Sequence, residues 1–187
     1  MGVRKKRWLA AGFCGAALLT FVLYAGTKTG YLLPHGIQWQ NKTLSRENPN
    51  IILENKMVTA AQGDSILWQN DPAWRVQDAL WCDIDHDMQN ELLLLCWKRG
   101  MYGDSRPFWV KRDPPVWSQH IFIYEWEQGE IRPVWMASQL NREVTGWTFT
   151  DTDRLILKEA NGKSTRWDWL SWGLSFLEEC PEEPAAA

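Results

Sequence analysis

The residues best suited to chemistry lie between Trp81 and Leu95, in the stretch WCDIDHDMQNELLLL. Carboxylates fall at Asp83, Asp85, Asp87 and Glu91, which are positions 1, 3, 5 and 9 counted from Asp83. Alternate residues of a tightly turning loop point inward, so this spacing gathers hard oxygen donors around a small cation. Calcium takes six to eight oxygens at about 2.3–2.6 Å, and the backbone carbonyl of Gln89, at position 7, is the expected further ligand. A plainer reading stays open beside it. Asp is favoured in turns because its side chain bonds the nearby backbone, and an Asp-rich turn needs no metal.

The remaining chemistry-bearing residues do not assemble into a catalytic pattern in the sequence, and no catalytic residue or enzymatic activity is expected. His35, His86 and His120 are isolated, and His120 alternates with aromatic residues as a packed strand residue does. No Gly-rich phosphate loop occurs. Cys14, Cys82, Cys96 and Cys180 have no zinc-type spacing. One disulfide with a leftover thiol, and three reduced thiols in the body, are both compatible with that count.

Tryptophan is the compositional outlier, at 14 of 187 residues. Flat indoles stack on sugars and anchor protein partners, but they also fill the space between sheets. Trp68, Trp74, Trp81, Trp97, Trp126, Trp135 and Trp147 fall in strand-like text and read as core. Trp172, near the end, reads as a surface residue. Tyr102, Phe108, Trp109 and Trp117 fall in an irregular insertion, and Trp167 and Trp169 share one strand face near the end. These six are the candidate partner-binding residues, for a protein or glycan partner.

The elements that must position these residues are β-strands. β-Branched and aromatic runs separated by Gly, Asn, Asp and Pro predict strands near 51–59, 64–69, 74–82, 91–98, 119–127, 130–137, 144–149, 154–160 and 164–170. Asn161-Gly162 and Gln128-Gly129 mark hairpin turns. Along 119–127, His120, Phe122, Tyr124 and Trp126 share one face and Ile121 and Ile123 the other. Two apolar faces predict a central strand, and Pro133 makes the next one an edge or a bulged strand. Residues 99–118, RGMYGDSRPFWVKRDPPVWS, form a long insertion of the kind that is functional or disordered.

The D-x-D-x-D-x-x-x-E loop with an apolar run behind it resembles the calcium loop of FG-GAP (VCBS-like) repeats. These are propeller-blade repeats of integrin α-chains and of many bacterial exported proteins. The likeness covers about residues 64–140 and includes HIFIYEW and VWMAS. It implies a calcium-stabilised, Trp-rich all-β fold of antiparallel sheets, either a partial propeller or a β-sandwich, that presents loops to partners. Such repeats carry Gly at the fourth and sixth loop positions, where this chain has His86 and Met88. A left-handed backbone costs a non-Gly residue about 1 kcal/mol, which predicts a loop at risk of opening. Thr150-Asp151-Thr152-Asp153 keeps two carboxylates where a second loop is expected. The body is short for a closed propeller, which needs at least about four blades.

Ahead of this body stands WLAAGFCGAALLTFVLYAG, residues 8–26, which are 19 residues without a charge behind Arg4, Lys5, Lys6 and Arg7. As a helix it would measure roughly 28 Å, near the hydrocarbon thickness of a bilayer. Positive residues stay cytoplasmic. The expected organisation is therefore a cytoplasmic stub (1–7), one transmembrane helix (8–26), a linker (27–50), a β domain (51–177) and a disordered tail (178–187). The expected location is a single-pass position in the cell membrane with the body extracytoplasmic; a cleaved signal peptide is the rival. Setting the four stub cations aside takes the net charge from −3 to −7. That balance speaks against nucleic acid, which demands a concentrated basic face. The function expected is a non-enzymatic, calcium-stabilised binding or assembly module. A glycan-active enzyme or carbohydrate-binding accessory protein, and a structural subunit of an envelope complex, are the alternatives.

Overall fold

The structure, a computed structural model, describes residues 20–102, 106–150, 152 and 154–180. Among the described residues are one helical segment, α1 (residues 20–28), and twelve strands. The strands form three consecutive four-stranded antiparallel meanders. The first sheet holds β1 (Lys42–Ser45), β2 (Asn50–Glu54), β3 (Met57–Gln62) and β4 (Ser65–Gln69). The middle sheet holds β5 (Arg75–Cys82), β6 (Glu91–Arg99), β7 (Trp117–Glu127) and β8 (Glu130–Met136). The last holds β9 (Val144–Phe149), β10 (Leu155–Glu159), β11 (Ser164–Leu170) and β12 (Gly173–Cys180).

The spanning helix expected over residues 8–26 has to be corrected. Among the described residues no helix is long and apolar enough to cross a membrane. Residues 8–19 of that expectation lie outside the described residues, as do residues 1–7 and 181–187 of the expected stub and tail. α1 ends where the Thr27 and Thr29 hydroxyls turn back to the Tyr24 and Ala25 carbonyls. Two further boundaries move: β1 lies inside the expected linker, and β12 runs into the expected tail as far as Cys180.

Alternation along the middle sheet explains why it is covered twice. Leu92, Leu94, Cys96, Phe122 and Tyr124 point to one side and pack with Ile51, Leu53, Val58 and Ala60 of the first sheet. Leu93, Leu95, Ile121 and Ile123 point to the other and pack with Val144, Trp147, Leu155 and Leu157 of the last sheet. The successive side chains of a strand face opposite ways, so a wholly apolar strand such as LLLL is stable only between two layers. Burying each of these large side chains stabilises the fold by about 1.5–3 kcal/mol before entropy is counted. β7 lies between β6 and β8, and β8, which carries Pro133, is the edge strand, with a register shift opposite Ile123 and Tyr124. The first strands of the sheets are neighbours: β5 touches β1 on one side and β9 on the other. The body is thus a row of three blade-like sheets.

Buried amides lock the second junction. Gln77 of β5 donates to the carbonyls of Val144 (3.2 Å) and Thr145 (3.1 Å). Its own side-chain oxygen accepts from Trp97 Nε1 (2.8 Å) and Gln119 Nε2 (2.9 Å). Gln119 also accepts from the Val144 N–H at 2.7 Å. One end of β9 is therefore held by side chains of the neighbouring sheet.

Candidate metal centre and binding surfaces

The acidic loop connects β5 to β6, the first two strands of the middle sheet. Cys82 ends one strand and Glu91 opens the other, and the two pair across the ladder. This pairing brings positions 1 and 9 of the loop together. The turn between them is built by Asp side chains capping backbone N–H groups. Asp83 accepts from the N–H of Asp87 (3.0 Å) and of Met88 (2.8 Å), and Asp85 accepts from the N–H of Asp87 (3.3 Å). His86 (φ 67°) and Met88 (φ 73°) both adopt the left-handed conformation. These are the positions where the resemblance places glycine, so the loop closes here despite its side chains.

Closure gathers three of the expected ligands. Ligand oxygens of Asp83, Asp85 and Glu91 lie within 4.8 Å of one another. Asp87 is not one of this trio; its two oxygens accept from the Gln89 N–H (2.7 Å) and side-chain amide (3.2 Å). Asp87 and Gln89 line a cleft of about 150 Å³ together with Asp85 and Glu91 of the trio and with Glu125, Trp126 and Glu127. Glu91 is only 4% exposed, and one of its oxygens accepts from the Ile84 N–H at 2.9 Å. Burial pushes its carboxyl up to about 7; the Ile84 hydrogen bond opposes this, and the charges of Asp85, Asp87 and Asp83 add to it. Asp85 is likewise raised, by burial and then by Asp87. Burial, with Glu91 and Asp83, pushes the Cys82 thiol up to about 12, so it stays protonated and is no soft ligand. The donor set is three hard carboxylates, one buried and destabilised by its own charge, a group that could hold a hard metal cation.

The loop is also tied to the last sheet. His86 Nε2 lies 3.1 Å from Asp168 Oδ1 on β11, and Arg154 pairs with the other Asp168 oxygen at 3.3 Å. The His86 contact was not legible in the sequence, because His86 and Asp168 are 82 residues apart. Thr150 to Asp153 occupies the β9–β10 connection, the same topological place in the last sheet; Asp151 and Asp153 lie outside the described residues.

The candidate partner-binding aromatics divide. Phe108 and Trp109 are 94% and 69% exposed and stack edge to face at 4.8 Å. Tyr102 and Trp117 are half-buried at the root of the same insertion, where Arg99 covers the Trp117 ring at 4.8 Å. Trp167 and Trp169 face the sheet junction and pack against the second core cluster, so they form no open patch. The exposed tryptophan of that region is Trp172, in the β11–β12 turn. Of the seven expected core tryptophans, Trp97 and Trp147 are buried, and the other five pack against one of the clusters. Cys82, Cys96 and Cys180 are free thiols.

Comparison of the chain with protein-family models, with curated proteins and with solved structures gives no match.

Proposed function

We propose that this chain is a non-enzymatic binding or assembly module, a row of propeller-type blades whose β5–β6 loop takes a calcium ion. The observation that carries the reading is the left-handed backbone of His86 and Met88. Two unfavourable conformations, each costing about 1 kcal/mol, are kept in the turn that draws Asp83, Asp85 and Glu91 together. The resemblance to FG-GAP repeats supports the same reading, because that family's loop turns at those two positions. Glu91 is held inward against Asp83 and Asp85, where a bare cation fits and a bulky substrate does not. The exposed insertion between β6 and β7 supplies the partner surface.

The test is thermal unfolding of the full chain in millimolar calcium and then in excess chelator. A ligand at 100 times its Kd that binds only the folded state adds about 2.7 kcal/mol, a shift of several degrees. Calcium is expected to raise the melting temperature and Asp85→Ala to abolish the rise. An unchanged melt would leave the loop as an Asp-rich turn.

A further inference from the structure

The tip of the insertion is chemically unusual for a turn. Val110 N–H donates to the Pro107 carbonyl at 3.0 Å, closing a β-turn whose two central residues are Phe108 and Trp109. Those positions normally carry Gly, Pro, Asn, Asp or Ser. Here they hold two large rings, 94% and 69% exposed, that no other described part of the chain covers. Arg106, Lys111 and Arg112 flank them, all exposed, and none pairs with a described carboxylate. Among the described residues, the acid beside them is Asp113, which is turned away to the root, where it accepts from the Met101 N–H at 2.8 Å.

The root itself is fixed. Gly100 N–H donates to Val116 (2.9 Å), and Arg99 donates to the Pro115 carbonyl (2.6 Å). Gly100, at φ +100°, lies so close to Asp113 that a Cβ would strike the carboxylate. The Trp117 N–H also donates to the carbonyl of Gly30 at 2.7 Å. Gly30 ends the turn after α1, whose Phe21, Val22 and Tyr24 are exposed as well. A second uncovered apolar element is therefore joined to the insertion at its root.

We propose that the Pro107–Val110 turn is a lipid-contacting tip that inserts Phe108 and Trp109 into the surface of an anionic bilayer, with Arg106, Lys111 and Arg112 on the headgroups. Aromatic rings with a polar edge settle at the membrane interface. Exposed cations beside them are attracted to anionic headgroups. A protein partner would explain the rings but not the ring of unpaired cations around them, on a body otherwise negatively charged. The inference rests on the reading of the chain as a binding module and names the partner of one surface. It requires neither a spanning helix nor bound calcium.

The experiment uses the full chain with vesicles of phosphatidylcholine alone, or mixed with phosphatidylserine, carrying brominated acyl chains that quench nearby indoles. Trp109 is read as the difference between wild type and Trp109→Phe, which isolates it even if another segment also binds lipid. Serine-lipid vesicles should quench a component that Trp109→Phe lacks. Replacing Arg106, Lys111 and Arg112 together by Ser should weaken that quenching at least ten-fold in lipid concentration. Phe108→Ser, which keeps Trp109 as the reporter, should weaken that quenching while leaving the melting temperature unchanged; undiminished quenching would overturn the insertion of Phe108. Equal quenching of wild type and Trp109→Phe on both vesicle types would overturn the proposal. So would a Trp109 component that is shielded only when a soluble protein is added. Each arm is run in calcium and in chelator, so a failure here is separable from a failure of the calcium site.

Discussion

His86 Nε2 lies 3.1 Å from Asp168 Oδ1, so the acidic loop of the middle sheet is pinned to the third strand of the last one. The residue making that bond also sits in the left-handed region, at φ 67°. Met88, two residues on, has the same backbone conformation but is 93% exposed and makes no side-chain tie. Glycine relieves a left-handed strain of about 1–2 kcal/mol but costs about 0.5–1 in chain entropy. Met88→Gly is therefore expected to stabilise the protein by about 0.5–1 kcal/mol. His86→Gly gains the same relief and loses the bond to Asp168, so it is expected to be neutral or mildly destabilising. Denaturant unfolding of the two variants checks this; equal gains in both would show that the His86–Asp168 contact contributes nothing.

Within the loop, Glu91 and Asp87 should behave oppositely. Glu91 carries a carboxyl raised to about 7 by burial, against an ordinary value near 4.3. A raised carboxyl favours the protonated fold: the unfolded chain ionises first as pH rises, so stability is full below about pH 4.3 and is lost up to about 7. At pH 8 without calcium, Glu91→Gln removes that cost and should raise stability by about 1–3 kcal/mol, while abolishing the calcium response. Asp87 is engaged by Gln89 outside the trio. Asp87→Asn should leave the calcium-induced shift in the melt largely intact. Loss of the shift in Asp87→Asn would place that carboxylate in the coordination sphere.

The strands around this loop were the most legible part of the sequence. Predicted spans 74–82, 144–149 and 164–170 lie within a residue of β5, β9 and β11, because alternation and breakers agree there. The failures are local conflicts. The span 51–59 is two strands, turned at Asn55 (φ 51°) and Lys56 (φ 68°). A lysine at a left-handed turn position gives no breaker signal. Asn161-Gly162 is a hairpin, but only Gly162 has positive φ. Its N–H bonds to the Glu159 carbonyl at 3.0 Å, the pattern of a type I turn closed by glycine. The four carboxylates were readable, but that Asp83, Asp85 and Glu91 form the close trio while Asp87 is engaged by Gln89 was not, since the difference lies in which N–H each oxygen caps. The core-facing position of Trp167 and Trp169 was hidden for a similar reason: period-2 alternation names a shared face but not its neighbour.

The junction that Trp167 and Trp169 help to cover depends on Gln77. Its amide joins Trp97, Gln119 and the backbone of Val144 and Thr145 in a buried network. Gln77→Ala leaves the Trp97 N–H and one Gln119 amide hydrogen short of an acceptor and takes a donor from the Thr145 carbonyl, while the Val144 carbonyl keeps the Gln119 amide at 2.8 Å. A buried unsatisfied polar group costs about 1–3 kcal/mol, so the variant should lose at least about 2 kcal/mol. Loosening should concentrate at the last sheet, and hydrogen exchange should show β9 amides losing protection before those of β2 and β3. Uniform loss across all three sheets would mean that the network stabilises the whole body and not the junction.

His120 supplies a separate acid limb. It is fully buried, with Nδ1 3.0 Å from the Ala137 carbonyl and Nε2 2.8 Å from Ser118 Oγ. Burial holds its pKa below the ordinary value; Lys98 adds to the depression, while the Ala137 and Gly100 carbonyls and Asp113 oppose it. The imidazole is then neutral in the fold and takes a proton near pH 6.5 only when unfolded. Stability from this group is present above about 6.5 and lost as pH falls toward the folded pKa, by at most about 1.4 kcal/mol per pH unit. Glu91 works in the opposite sense over the same range, so a bare pH profile mixes the two. The quantity to measure is the wild-type stability minus that of His120→Gln, in chelator, from pH 8 to pH 5. That difference should shrink as pH falls, because the variant has no proton to gain; a difference constant with pH would show that His120 titrates normally in the folded protein.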